Sequence, residues 1–169
     1  MIRLIDPCIE RTNDYYDLCI AYSKCDQIDY RKVDSVNKAK ELIEFDLSLN
    51  SKAIPDDNIK TLVKWAIDGN NFIIGSCRIR LELNDKFMQR GGHIGYDVRP
   101  EYRKMGYGTK ILALALRTIR QNGIKNVLLT CEDSNIGSYK IIEKNGGRLE
   151  KVIYDEKENK MLRKYWVYY

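Results

Sequence analysis

Apolar residues recur along this chain with the two periods that distinguish helices from strands. A period of 3.6 residues predicts four helices, over 12–24, 34–48, 106–122 and 135–145. The third has the clearest apolar stripe, formed at helical spacing by Ile111, Leu112, Ala115, Leu116 and Ile119. Asn122 and Gly123 follow it and are typical of a helix end.

Short apolar runs and alternating segments predict seven strands, over 1–6, 61–67, 72–83, 91–98, 126–131, 148–154 and 161–168. Two pairs of neighbouring strands are joined by turn residues and therefore predict β-hairpins. One turn is Asp68-Gly69-Asn70-Asn71 and the other covers 155–159. Residues 49–60 and 84–90 are predicted as connections.

The order of these elements is β-α-α-β-β-β-α-β-α-β-β, which predicts a mixed α/β fold around one central sheet. A chain of 169 residues has the usual size of one domain, so we expect a single domain over 1–169. Within it, residues 1–60 supply one strand and two helices, and residues 61–169 supply the rest of the sheet.

The composition narrows the class of protein. Hydrophobic residues make up 44% of the chain and charged residues 31%, a balance typical of globular proteins. No apolar run approaches the ~20 residues that span a bilayer, and the N-terminus lacks the apolar core of a signal peptide. We therefore expect a cytoplasmic protein without a membrane partner. The five cysteines form no C-x-x-C and there is one histidine, so no metal site is expected.

The net charge of +5 is unevenly distributed, with −3 in residues 1–60 and +8 in residues 61–169. The basic part favours an anionic ligand. Its lysines and arginines are scattered rather than gathered in one stripe, which argues against nucleic acid as the partner. The acidic part would suit a cationic ligand.

The segment from Val98 to Lys110, V-R-P-E-Y-R-K-M-G-Y-G-T-K, places a basic, glycine-containing loop between a predicted strand and a predicted helix. The first N–H groups of a helix have no intrahelical partner and lie at the positive end of its dipole. Gly106 and Gly108 would let these amides approach phosphate oxygens closely. This pattern predicts an anion site, although glycines in such a loop can also serve only the turn.

Two common phosphate-binding loops are excluded here. Gly106-x-Gly108 is not followed by a third glycine, because position 111 is isoleucine, so the dinucleotide-binding fingerprint fails. Thr109 and Lys110 stand in the wrong order for a Walker loop.

Arg103 to Gly108 instead resembles the acyl-CoA loop of the GNAT N-acetyltransferases, whose pattern is Q/R-x-x-G-x-G/A. Further along, Asn135-Ile136-Gly137-Ser138 is similar to the Asn-x-x-Ala/Ser with which the family opens its next helix. Residues 91–100 resemble a branch of uncharacterised bacterial predicted acetyltransferases. The resemblance covers residues 61–169 well and residues 1–60 only by the order of elements.

This resemblance implies a sheet of about six to seven strands flanked by about four helices. Two parallel strands, 91–98 and 126–131, would splay and admit the pantetheine arm of acetyl-CoA, the cosubstrate. The residues implied to bind it are Val98, Arg103, Lys104, Met105, Gly106, Tyr107, Gly108, Thr109, Asn135 and Ser138. The Val98 N–H would stabilise the oxyanion of the tetrahedral intermediate.

Proton transfer is where the chain departs from the family. Many members use a tyrosine seven residues after the helix asparagine to protonate the leaving thiolate, but position 142 is isoleucine. Tyr139, one helical turn earlier, is a candidate donor, and Tyr96 and Tyr107 are the others. His93 is the first candidate for the base because its unperturbed pKa lies near neutrality, and the further candidates are Glu82, Tyr96 and Asp97. A structural His93 is an equal alternative.

The expected activity is acetyl transfer by direct attack of an amine carried by a small molecule or a peptide. The alternative is a CoA-binding regulator or an inactive relative, which Ile142 supports. A homodimer is an open possibility, and the sequence does not identify the acceptor.

Overall fold

The computed structural model describes residues 1–25, 33–51 and 59–169. Its helices are α1 (Thr12–Ser23), α2 (Val36–Ser51), α3 (Asp85–Gln89), α4 (Tyr107–Gln121) and α5 (Ile136–Lys144). Its strands are β1 (Arg3–Ile5), β2 (Thr61–Ile67), β3 (Ile73–Arg80), β4 (Ile94–Val98), β5 (Asn126–Glu132), β6 (Arg148–Asp155) and β7 (Lys160–Tyr168). All four predicted helices and seven predicted strands are present. Most of the connection predicted over 49–60 falls on 52–58, outside the described residues.

The predicted mixed α/β class is confirmed, but the strands form two sheets rather than one continuous sheet. Four strands pair in the order β1-β2-β3-β4, and three pair in the order β5-β7-β6, with every pair antiparallel. β4 and β5 are therefore edge strands. Within the described part of the chain, one isolated bridge, between Gly92 and Leu129, connects the two sheets.

Both predicted hairpins form. In the β2–β3 hairpin the Asp68 carboxylate accepts hydrogen bonds from the N–H groups of Asn70 (2.8 Å) and Phe72 (2.9 Å). An aspartate that bonds the backbone two residues ahead is a common turn device. Residues 156–159 make the β6–β7 connection, one residue shorter than predicted because Asp155 still pairs with Lys160.

Helices cover the two faces of the four-stranded sheet and divide the core into two clusters. On one face, residues of α1 and α2 pack on Trp65, Ile67 and Ile73, and Tyr15 stacks on Trp65 at 4.9 Å. On the other face, the apolar stripe of α4 packs against β3, β4, β5 and β7. This second cluster includes all five stripe residues predicted from the sequence: Ile111, Leu112, Ala115, Leu116 and Ile119.

Two local differences from the predicted elements lie between β3 and β4. The connection 84–90 contains α3, a short helix whose N-cap is Asn84, with the side chain accepting from the Phe87 N–H at 3.1 Å. The strand predicted from residue 91 begins only at Ile94, because Gly91 and Gly92 have φ values of 107° and 61°. Positive φ is incompatible with a β-strand, so the chain turns there before β4.

Among the described residues, none of the helices is both long and apolar enough to cross a bilayer. Nor do those residues bring three or more His, Cys, Asp or Glu side chains together in a way that could hold a metal ion.

Candidate active site

A cavity of about 640 Å³ opens where β4 ends and where α4 and α5 begin. This volume is within the usual range for small-molecule sites. Eight of the ten residues predicted to bind the cosubstrate line it. From β4, the loop and α4 they are Val98, Arg103, Lys104, Gly106, Gly108 and Thr109. From the start of α5 they are Asn135 and Ser138.

The open edge of β4 forms one wall of this cavity. The Arg80 N–H donates to the His93 carbonyl (2.7 Å) and the Arg99 N–H donates to the Ile74 carbonyl (2.8 Å). In an antiparallel pair, every second residue of a strand is hydrogen-bonded to the partner strand. Since His93 and Arg99 are bonded to β3, the residues of β4 that bond to β3 are the odd-numbered ones between them. Tyr96 and Val98 therefore point their N–H and C=O groups away from β3, into the gap before β5.

The loop between β4 and α4 is shaped as a cradle. Lys104 and Gly106 have φ values of 60° and 81°, in the left-handed region, and Gly106 is the N-cap of α4. Successive backbone N–H groups in such conformations form concave anion sites. A Cβ built on Gly106 would meet none of the described atoms within 4 Å, so the space above it is open. The first turn of α4 holds no acidic side chain that would oppose an anion.

Arg103 connects the cradle to the strand before it. Its Nε donates to the Val98 carbonyl at 3.0 Å, so its guanidinium is held at the end of β4 while the residue still lines the cavity. The two remaining predicted loop residues lie elsewhere. Met105 is 62% exposed, and Tyr107 packs edge-on against Tyr102 with ring centroids 5.5 Å apart. Neither side chain belongs to the cavity lining.

The cavity is strongly cationic. Arg103 and Lys104 line it from the loop, and Lys140 and Lys144 line it from α5. The acidic residue of the lining, Asp97, directs its carboxylate away from the cavity, to Ser76 and Tyr22. The two α5 lysines were not predicted as site residues. Their spacing of four residues, which places both side chains on one face of α5, is the sequence feature that could have indicated them.

Helices α4 and α5 approach closely at the cavity. A Cβ on Gly108 would lie 2.6 Å from Ile141 Cδ1 and 3.4 Å from Val98 Cγ2. Gly108 therefore serves helix packing as well as the loop. Asn135 is the N-cap of α5, and its Oδ1 accepts from the Ser138 N–H at 3.0 Å. The cap is made by the oxygen of the Asn135 side-chain amide and does not involve its NH₂ group.

The family's usual acid position is in the core. Ile142 is only 1% exposed, and a Cβ on Gly147 would lie 2.4 Å from its Cγ2. Tyr139 packs partly against the same core, and the Arg163 guanidinium lies over its ring at 4.3 Å. Tyr139 does not contribute to the cavity lining.

Tyr96 does line the cavity. Its hydroxyl donates to the Ser138 carbonyl at 3.3 Å, across the gap from β4 to α5. Burial raises the pKa of the Tyr96 phenol, so it stays protonated at neutral pH. The next residue, Asp97, faces α1 instead. Its carboxylate accepts from the Tyr22 hydroxyl and from both the N–H (3.0 Å) and the hydroxyl (2.8 Å) of Ser76.

His93 lies at the inner end of the gap and outside the cavity lining. It is 8% exposed, and its Nδ1 accepts the Leu128 N–H at 2.9 Å. A neutral imidazole that accepts at Nδ1 carries its proton on Nε2, so neither nitrogen has a free lone pair. Burial lowers the pKa of His93, and the nearby charge of Arg80 lowers it further. The base role predicted for His93 has no support in this geometry.

Comparison with known proteins agrees with the fold. The family model described as Acetyltransferase (GNAT) domain matches residues 9–148. No curated protein sequence matches the chain.

Several solved structures share the fold. The Microcin C7 self immunity acetyltransferase MccE, solved with acetyl-CoA and AMP, is 16% identical with a TM-score of 0.77, covering 99% of this chain and 92% of its own. The ribosomal alpha-N-protein acetyltransferase RimL is 12% identical with a TM-score of 0.75, covering 99% and 90%. A GNAT family acetyltransferase from Bacillus anthracis is 15% identical with a TM-score of 0.71, covering 99% and 94%.

Proposed function

Because the chain belongs to the GNAT acetyltransferase family, we propose that it transfers the acetyl group of acetyl-CoA directly to an acceptor amine. The observation that carries this proposal is the open edge of β4, with the N–H groups of Tyr96 and Val98 facing a cationic cavity. An extended ligand arm can pair with such an edge as an added strand would.

The cavity suits the charged end of CoA. The cradle at Lys104 and Gly106, together with the first N–H groups of α4, would hold the pyrophosphate. The side chains of Arg103, Lys140 and Lys144 would add positive charge around it. The NH₂ group of Asn135 would donate to the pantetheine while its oxygen keeps the cap of α5.

The acetyl group is transferred in one displacement. The acceptor nitrogen attacks the thioester carbonyl, a C–N bond forms, and the C–S bond breaks. The Val98 N–H stabilises the negative charge that develops on the carbonyl oxygen. The acceptor loses a proton to water and attacks as the neutral amine, and Tyr96, which stays protonated because burial raises the pKa of its phenol above an already high value, donates a proton to the leaving thiolate.

Cys131 lies on β5, the strand across the gap from β4. Burial raises the pKa of Cys131 to about 11, so it is almost wholly protonated at neutral pH. Since the thiolate is the nucleophilic form, a covalent acetyl-enzyme at Cys131 is disfavoured. This supports direct transfer to the acceptor.

The acceptor that we propose is an amine. RimL acts on the α-amino group of a ribosomal protein, and another structural neighbour is a spermidine N-acetyltransferase chimera. The shared reacting group supports the amine class.

The test combines binding with turnover. Calorimetry should show that acetyl-CoA and CoA bind the protein with similar affinity, since both carry the same phosphates and pantetheine. Release of the CoA thiol should then be followed with a panel of peptides, polyamines and amino acids. Turnover with at least one amine, confirmed by mass spectrometry of the acetylated product, is expected. Tight CoA binding without turnover on any of them would instead favour a CoA-binding regulator.

A further inference from the structure

Backbone hydrogen bonding joins the two sheets where residues 91–93 lie against residues 128–130, here called the sheet junction. The His93 N–H donates to the Leu128 carbonyl at 2.8 Å, and the Leu128 N–H donates to His93 Nδ1 at 2.9 Å. The Gly91 N–H donates to Thr130 Oγ1 at 2.8 Å. Beyond the junction, β4 and β5 continue without a ladder between them.

Two of these three bonds use side chains in place of backbone groups. A regular ladder would pair the Leu128 N–H with a carbonyl and then continue to the next pair of residues. At the junction an imidazole nitrogen takes the carbonyl's place, while the His93 carbonyl accepts instead from the Arg80 N–H of β3 at 2.7 Å. The junction therefore satisfies the buried backbone groups but does not extend the ladder.

Glycine is required beside His93 for this arrangement. Gly92 has a φ of 61°, and a Cβ there would lie 2.4 Å from the Leu128 carbonyl oxygen. That distance is far below contact, so β5 approaches the backbone at Gly92 as only glycine allows. The approach brings Leu128 within reach of the imidazole.

We propose that His93 is a positioning residue whose imidazole ends the pairing between the two sheets and fixes the width of the gap between β4 and β5. The gap is where the pantetheine arm lies under the proposed function, so this inference rests on that function. His93 acts through the spacing of two strands and touches no reacting atom.

The matched variants are His93→Asn and His93→Ala. The Oδ1 of an asparagine stands at nearly the same distance from the backbone as the imidazole Nδ1 and can accept the same hydrogen bond, but it cannot act as a base. Alanine leaves the buried Leu128 N–H without a partner. Thr130→Val is the control, since it removes the neighbouring side-chain bond and leaves the imidazole in place.

Three quantities are measured on each variant: CoA affinity by calorimetry, kcat and KM with a working acceptor, and hydrogen exchange of the Leu128 amide by NMR. His93→Asn should keep all three within about threefold of the parent, with Leu128 still protected, because the bond is conserved. His93→Ala should weaken CoA binding about tenfold and speed the exchange of Leu128, the effect of one lost bond to a buried donor. Thr130→Val should affect Leu128 exchange and CoA affinity less than His93→Ala does.

Two results would overturn the proposal. A His93→Asn variant that loses kcat by a hundredfold or more, with Leu128 protection and CoA affinity intact, would identify His93 as a base. A His93→Ala variant with unchanged Leu128 exchange and CoA affinity would show that the imidazole does not set the gap. If His93→Ala does not fold, the asparagine variant still decides between the two roles. If the parent protein binds no CoA, the proposed function fails, whereas Leu128 exchange in the ligand-free variants still tests the hydrogen bond itself.

Discussion

Replacing Gly106 by alanine tests whether the cradle holds the phosphates of CoA. Gly106 has a φ of 81°, and a Cβ there would meet no described atom within 4 Å. A side chain in this left-handed conformation costs roughly 1–2 kcal/mol of stability. For a chain of this size, that corresponds to a fall in Tm of about 2–8 °C.

Gly123, just beyond the other end of α4, is a matched control. It has a φ of 86°, and a Cβ there would likewise meet no described atom within 4 Å. Gly123→Ala should therefore cost a similar amount of stability. Only Gly106 lines the cavity, so only its substitution should reduce CoA affinity.

The expected loss of CoA affinity follows from the hydrogen bonds that the added methyl group would prevent. A methyl group above Gly106 would keep the phosphate away from about two backbone amides, each worth about 1.5 kcal/mol to a charged acceptor. The sum of about 3 kcal/mol corresponds to roughly 100-fold weaker binding. Calorimetric titration with CoA measures the affinity, and thermal unfolding measures the stability of both variants. Equal CoA affinity in folded Gly106→Ala and Gly123→Ala would refute the assignment of the cradle.

Three further predictions concern the helix cap, the proton donor and the buried histidine. Asn135→Asp should keep the free energy of unfolding, since a carboxylate also caps a helix, but should weaken CoA binding by about 1 kcal/mol. Asn135→Ala should lower both the stability and the CoA affinity. Melting temperatures measure the first effect and calorimetry measures the second. Tyr96→Phe should lower kcat by roughly 10²-fold and Tyr139→Phe by less than about tenfold, and the reverse order in steady-state kinetics would assign the acid to Tyr139. The folded protein holds the pKa of His93 below its ordinary value of 6.5, so the unfolded chain binds the proton more tightly. The free energy of unfolding should therefore decline as the pH falls below about 6.5, and urea titrations should show a smaller decline in His93→Asn.

The sequence determined most of the elements because each carries its signal locally. The stripe on α4 follows from residue spacing alone, and all its members are in the core. The Asp68–Asn71 turn follows from residues with a known preference for turns. The loop from Arg103 to Gly108 was also recognisable, since a basic, glycine-containing strand-to-helix connection is a local arrangement.

The sequence could not determine which of two similar side chains faces the gap. Tyr96 and Tyr139 are both plausible donors by spacing, yet Tyr96 lines the cavity and Tyr139 packs beneath Arg163. The lysines of α5 line the cavity because α5 packs beside the loop, where Gly108 and Ile141 approach each other closely. These outcomes depend on contacts between elements distant in sequence.

His93 shows the same division most clearly. As a lone histidine on a predicted strand it was the natural candidate for a base, because an isolated imidazole titrates near neutrality. Its actual partner, the Leu128 N–H, is 35 residues away along the chain. Local pattern decides the secondary structure, since helices and strands form from neighbouring residues. Whether a polar side chain reacts or supports the backbone depends on which distant group it meets, and only the tertiary structure brings that group within hydrogen-bond distance.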